Sequence, residues 1–368
     1  VFTVVSTFSG CGGSSLGYKQ AGGKVLLAVE WDKNAAETYR LNFPETDLYY
    51  GDISKLTTHE IFRRTGLTPG ELDILDGSPP CQGFSTIGKR KFTDDRNQLF
   101  REYCRLLRDL KPKVFVMENV EGMVQGNMKL IFAEAMRSLK ACGYTVRARV
   151  LNAMYYGVPQ WRKRLIFIGV RNDLCDSFDL KPSHPIGTER IVGLWEAIKD
   201  VKSKTFAPEG RGASIVLPYI TQGKSALECV PKELLKEYIP KVLRKTAYDH
   251  KNSCVRAHPD RPARTITKMF IPYSNFLIHP YEHRHLSAEE LKRVASFPDS
   301  FKLIGTYLDQ VARLGNSVPP KFMRAIALHI KENILSKIDP VSVISPNPST
   351  SPNPSSSPNP SNPSNPLS

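Results

Sequence analysis

The chain has 368 residues, 40% of them hydrophobic, which is enough for two domains with a sizeable core. No apolar run reaches the ~18 residues of a membrane span and no secretory signal is recognisable, while Val1 in place of Met implies a missing initiator or short leader. With 51 Lys and Arg against 36 Asp and Glu the net charge is +15, which points to a polyanionic partner, nucleic acid before membrane because no basic amphipathic anchor stands out.

In chain order, short β-rich runs alternate with helical patterns through the first 170 residues: FTVVSTF, a helix near 15–22, VLLAVE, a helix near 33–42, DLYYGDI and DILD. A helix near 98–110, VFVMENV, a helix near 127–141, TVRARVL and LIFIGV follow. Such alternation predicts a doubly wound α/β sheet with parallel strands. Residues 171–282 lose the rhythm, carry Pro and Gly breaks and short β patches such as SIVLPYI, and read as a smaller, irregular domain. Helical patterns return at LSAEELKRVASF and PPKFMRAIALHIKENIL, the latter amphipathic enough to pack back on the first domain. The expected division is therefore 1–170 plus 283–338, then 171–282, then a tail. From Pro340 the tail is an SPNP-like repeat without a charged residue, expected to be extended and disordered. Seven cysteines, Cys11, Cys81, Cys104, Cys142, Cys175, Cys229 and Cys254, form no CxxC pair. An odd count without metal-ligand or disulfide spacing implies a reducing, intracellular setting.

The first chemistry lies in FSGCGGSSLG (residues 8–17), which joins the first strand to the first helix. Its glycines permit a tight turn and close approach of a ligand. The dinucleotide fingerprint is broken, because counting from Gly10 the third glycine position holds Ser15. Glu30 ends the second strand, where a carboxylate can take both ribose hydroxyls, and Asp52 ends the third, where it could accept from an adenine amino group. Helix-terminal amides suit a carboxylate as well as a phosphate. Ribose, adenine and a carboxylate describe S-adenosylmethionine at least as well as a nicotinamide cofactor. Trp31 either stacks on the adenine or is a core aromatic.

DGSPPCQGFS places Cys81 just past the fourth strand, at the carboxyl edge where open α/β sheets bind ligands. A thiol is mostly protonated at neutral pH, so a nucleophile needs electropositive surroundings. Residues 85–113 supply Lys89, Arg90, Lys91, Arg96, Arg101, Arg105 and Arg108 against four acids. FVMENV brings Glu118 and Asn119 to the same edge, where partial burial would let the acid hold a proton. In QWRKR the period-two spacing puts Arg162 and Arg164 on one face, able to grip a phosphate or a base carbonyl, unless the cluster is only a solvated charge run.

In this order FSGCGGSSLG, GDI, DGSPPCQGFS, RNQLF, ENV, QWRKR, RPARTIT (261–267) and GNSVPP (315–320) resemble the motifs of DNA cytosine-5 methyltransferases, across residues 1–338. The resemblance implies a thiolate, Cys81, that adds to carbon 6 of cytosine and gives an enamine able to attack a sulfonium methyl group; loss of the carbon-5 proton then expels the thiolate. Glu118 would contact the ring nitrogen and exocyclic amine, and Arg162 and Arg164 would hold the base and the active-site loop. Because the target atom is stacked inside the duplex, the base must be flipped out. Segment 83–97 would close over it, with Gln82, Ser85, Lys89 and Arg96 at the DNA. Phe8, Gly10, Gly12, Glu30, Trp31, Asp52, Ile53, Pro79, Leu99 and Asn316 fall on cofactor positions.

Residues 171–282 correspond to the target-recognition domain. With 15 Lys and Arg against 12 Asp and Glu over 171–260, groove reading describes it better than an electrostatic clamp. Arg261 and Arg264 are read as structural first and DNA-contacting second. Ser317 stands where related sequences often carry Ala, a change expected to matter little. The resemblance implies a monomeric bacterial enzyme on double-stranded DNA in the cytoplasm, with a cognate restriction endonuclease as possible partner. A tRNA cytosine methyltransferase on the same fold is the alternative. A non-catalytic binding module conflicts with intact Cys81, Glu118, Arg162 and Arg164, and an NAD-type oxidoreductase with the lost glycine.

Overall fold

A computed structural model describes residues 1–80, 95–208, 213–238, 255–268 and 277–338. Cys81, Gln82, Ser85, Lys89 and the tail lie outside the described residues.

Seven strands form one sheet: β1 (Phe2–Thr7), β2 (Gly23–Glu30), β3 (Asp47–Tyr50), β4 (Ile74–Gly77), β5 (Val114–Val120), β6 (Tyr144–Asn152) and β7 (Lys163–Arg171). Their order is β3-β2-β1-β4-β5-β7-β6. The connecting helices are α1 (Gly13–Gln20), α2 (Lys33–Asn42), α3 (Thr58–Thr65), α4 (Asp95–Leu110) and α5 (Lys129–Ala141). After the sheet come α6 (Asn172–Phe178), α7 (Leu194–Ile198), α8 (Ala213–Val216), α9 (Ala226–Cys229) and α10 (Lys232–Tyr238). The C-terminal set is α11 (Ala288–Val294), α12 (Tyr307–Asn316) and α13 (Pro320–Ile330).

Strand residues alternate between two cores, as a period of two demands. Val4, Val116, Ile166 and Ile168 face a cluster with Tyr18, Phe322 and Ile326, whereas Val5, Phe115, Met117, Leu165 and Phe167 face Tyr103, Leu107 and Leu139. Both faces are therefore covered by helices, and α13 returns from the far end of the chain to lie on α1. A third cluster joins Tyr39 of α2 and Phe43 just after it to Leu194, Ile266, Leu291, Phe297 and Leu314. A fourth, Val216, Leu217, Ile220, Ala226, Val230, Leu235 and Ile278, belongs wholly to the irregular region. The buried Arg256 guanidinium ties that last cluster together, donating to the carbonyls of Leu217, Ile220, His279 and Glu282.

One strand departs from the all-parallel expectation. β7 runs antiparallel to both β5 and β6. Between β6 and β7 there is only a 3₁₀ turn, Ala153–Tyr156, and no helix that could carry the chain back for a parallel crossover. Asn152 closes this connection, its Oδ1 accepting from the amides of Met154 at 3.4 Å and Arg162 at 3.1 Å.

Gly13 and Gly17 also have a different reason from the one read in the sequence. A Cβ on Gly13 would lie 2.3 Å from the Val318 carbonyl oxygen, and one on Gly17 would lie 2.6 Å from Met323 Cβ and 2.7 Å from the Pro320 oxygen. They allow the returning C-terminal segment to pack directly on α1. Gly17→Ala should lower the thermal midpoint, by a stability loss on the order of 1–3 kcal/mol from overpacking; an unchanged midpoint in thermal unfolding would contradict this contact.

Candidate active site

The carboxyl ends of β1, β2, β4 and β5 and the start of β7 meet at one edge. Reversal of β7 is what brings QWRKR there: Arg164 pairs with Val120 at the end of β5, and Ile166 with Glu118. Arg164 Nε lies 2.7 Å from Glu118 Oε1, in a pair whose side chains are 14% and 13% exposed. Nη1 of Arg164 donates to the Lys163 carbonyl at 2.7 Å, fixing the guanidinium over the acid.

Arg162, on the same face, is 2% exposed and points into the protein. Its Nη1 donates to the Ile266 carbonyl at 3.1 Å and Nη2 to that of Gly315 at 2.9 Å. Burial, and then the Arg164 charge, push its pKa down to about 9, opposed by Glu118. The segment RPARTIT is stitched to QWRKR along its length. The Trp161 amide donates to Ala263 O at 2.7 Å, Ala263 N to Pro159 O at 3.0 Å and Ile266 N to Gln160 Oε1 at 3.2 Å. The Thr265 hydroxyl adds a bond to Trp161 O at 2.6 Å, while Arg261 and Arg264 are exposed on that segment.

Asn119 faces the other way and reaches the proline turn. Its Nδ2 donates to the Pro79 carbonyl at 3.2 Å and its Oδ1 accepts from the Val120 amide at 2.9 Å. The end of β5 thus holds the backbone two residues before Cys81 in the sequence. Beneath that turn Asp76 is buried and accepts from Ser6 Oγ at 2.9 Å and Tyr18 hydroxyl at 3.1 Å. Burial raises its pKa to about 7, with the neighbouring Glu118 charge adding to the effect. Sequence reading passed over Asp76, although an acid inside the apolar run DILD is itself an anomaly.

The other half of the edge surrounds the loop after β1. Phe8 and Gly10 both adopt left-handed backbone, φ 54° and 56°, a strained conformation for Phe8 and an easy one for Gly10. Glu30 draws the loop together: Oε2 accepts from the Gly10 amide at 2.7 Å, and Oε1 from the Trp31 and Asp32 amides at 2.9 Å. Burial raises the Glu30 pKa against the pull of these three amides. Trp31 is 77% exposed, which removes the core-aromatic reading. Asp52 is exposed with Oδ1 taken by the Ser54 amide at 2.9 Å, and Ile53 is buried behind it. Pro79 is buried, Leu99 and Phe8 half-buried, and Asn316 exposed at the end of α12. Arg96 falls in the first turn of α4, well separated in sequence from the β7 arginines. The Ser317 hydroxyl makes contacts an Ala would lack: it lies 3.0 Å from the Cys11 thiol and donates to Arg313 O at 2.7 Å.

A family model described as C-5 cytosine-specific DNA methylase matches residues 2–332. The chain belongs to this family of methylases. The methylase is 36% identical over 337 residues to the Type II methyltransferase M1.HphI of Haemophilus parahaemolyticus, covering 88% of this chain and 85% of that protein. Among solved structures, a DNA modification methyltransferase encoded within an E. coli prophage superposes with a TM-score of 0.65 at 26% identity, over 91% of this chain and 100% of the other. Spodoptera frugiperda DNMT2 reaches a TM-score of 0.60 at 20% identity, over 88% and 98%, a likeness of fold alone.

The raised Asp76 pKa makes the stability of the methylase pH-dependent. The free carboxyl ionises near 3.8, so in the window up to about 7 the fold holds a proton that the unfolded chain has released. The stability contributed by protonated Asp76 is complete below the lower value and lost as pH rises through the upper one. Asp76→Asn, neutral throughout, should lack the fall in thermal midpoint that Asp76 gives the wild type between about pH 4 and about pH 7. Parallel curves for the two proteins would contradict a buried, proton-holding Asp76.

Proposed function

We propose that this methylase transfers a methyl group from S-adenosylmethionine to carbon 5 of a cytosine turned out of a specific duplex DNA sequence, with Cys81 as nucleophile. The observation that carries the reading is the Glu118–Arg164 pair, held at 2.7 Å on the edge where Asn119 anchors Pro79. A carboxylate beside the start of the nucleophile segment can bond the ring nitrogen and exocyclic amine of cytosine, and share a proton as the Cys81 thiolate bonds to carbon 6. Arg164 keeps that carboxylate in place. Arg162 acts at one remove, holding Ile266 and Gly315 against the edge.

The residues around the β1 loop fit an adenosyl group. Among the described residues Glu30 Oε2 accepts from the Gly10 amide alone and retains acceptor capacity for a ribose hydroxyl. The exposed Trp31 indole offers a stacking face, and exposed Asp52 an acceptor for an amine. The cofactor, when bound, supplies an electrophilic methyl group. Phe8, Gly10, Gly12, Ile53, Pro79, Leu99 and Asn316 complete this half, where Gly12 keeps its left-handed turn against the Phe43 ring.

Residues 1–170 with 283–338 serve as the catalytic part and 171–282 as the target-reading part, its own apolar cluster knotted by Arg256. Gln82, Ser85, Lys89, Arg96, Arg261 and Arg264 approach the DNA. The protein acts as a cytoplasmic monomer and protects a site cut by a cognate endonuclease. Among the described residues no helix is long and apolar enough to cross a membrane.

Cys81→Ser should abolish methyl transfer to DNA and leave duplex binding in a gel-shift assay intact, while Glu118→Gln should slow transfer on the order of 10²–10⁴-fold. Full turnover by Cys81→Ser would refute the assignment of the nucleophile.

A further inference from the structure

Cys104 and Arg108 lie four residues apart on α4 and so share one face of that helix. Cys142, which caps the C-terminus of α5, packs against that face. Its thiol donates to the Ser138 carbonyl at 3.2 Å and the Cys104 carbonyl at 3.6 Å, and it hydrogen-bonds with the Cys104 side chain. Arg108 Nη1 donates to Cys142 Sγ at 3.5 Å. Cys142 is half-buried and reachable, whereas Cys104 is 4% exposed beneath it. The proposed methyl-transfer chemistry uses neither thiol.

We propose that Cys142 and Cys104 form a peroxide-reactive dithiol, with Cys142 the attacking sulfur and Cys104 the resolving one. The contact with Cys104 and the Arg108 charge both hold the Cys142 thiol below its ordinary range, against burial. The Cys142 thiolate attacks one oxygen of hydrogen peroxide, the O–O bond breaks, and the released hydroxide takes a proton to leave as water. Sulfur of Cys104 then attacks the sulfenic sulfur and displaces hydroxide, which leaves as a second water with the Cys104 proton. Two thiols are oxidised by two electrons and one peroxide is reduced. The resulting bond joins α5 to α4, the helix that follows the Cys81 segment in the chain.

The test is non-reducing peptide mapping by mass spectrometry of the full chain, before and after a small excess of hydrogen peroxide. A linked peptide pair containing Cys104 and Cys142, two hydrogens lighter than its parts and released by dithiothreitol, is the expected result. The link should be absent from Cys142→Ser, whose methyl transfer stays at the wild-type level. In Arg108→Gln it should form on the order of tenfold more slowly. Wild-type protein in which Cys142 stays alkylatable, is oxidised to sulfinic acid with Cys104 still reduced, or links to another cysteine would overturn the proposal.

Discussion

A guanidinium that is 2% exposed demands acceptors, and among the described residues Arg162 finds one for each Nη, on segments 104 and 153 residues further along the chain, and none for Nε. A hydrogen bond made by a charged group contributes about 1.5–3 kcal/mol. The demand is therefore strong enough to fix where Ile266 and Gly315 come to rest. Around that point the rest of the edge is assembled. Gly315 can lie against Thr267 because it has no side chain, a Cβ there falling 2.4 Å from the Thr267 backbone. Asn316 and Ser317 follow at once, and Ser317 meets Cys11 in the loop after β1.

The reversal of β7 gives the same residue its position. In a sheet of parallel strands only carboxyl ends share an edge, so residues at the start of a strand would sit at the opposite side. Antiparallel β7 carries its first residues to the ends of β4 and β5. Arg164 then covers Glu118 while Asn119, one residue on and facing the opposite way, takes the Pro79 carbonyl. Alternation along a single strand end thus separates two tasks: one side chain pairs with Arg164, the other holds the carbonyl of Pro79.

Much of this was legible in the sequence because its signals are local. Strand runs such as FTVVSTF and VFVMENV, and the return of α13 to the first domain, follow from hydrophobic period alone. What was missed depends on tertiary context. Helix α3, capped by Thr57 and Gly66, spans only eight residues, and its apolar face rests on the adjacent Ile61 and Phe62, too short a run to stand out as a period. The direction of β7 depends on the length of a connection rather than on its own residues. Gly13 and Gly17 looked like ligand-loop glycines, yet their Cβ positions are filled by the far end of the chain. A sequence can place Arg162 and Arg164 on one face, but only packing decides that one is enclosed by carbonyls and the other stays beside Glu118.

The central claim is that cytosine carbon 6 becomes bonded to the sulfur that follows the anchored proline turn. It is tested most directly with a duplex carrying 5-fluorocytosine at the target position, incubated with the full chain and S-adenosylmethionine and digested for mass spectrometry. Fluorine cannot leave as a proton does, so the account predicts a stable adduct mapped to Cys81. An adduct on any other residue, or methylation activity on ordinary DNA with no trapped species on the fluorinated duplex, would contradict it.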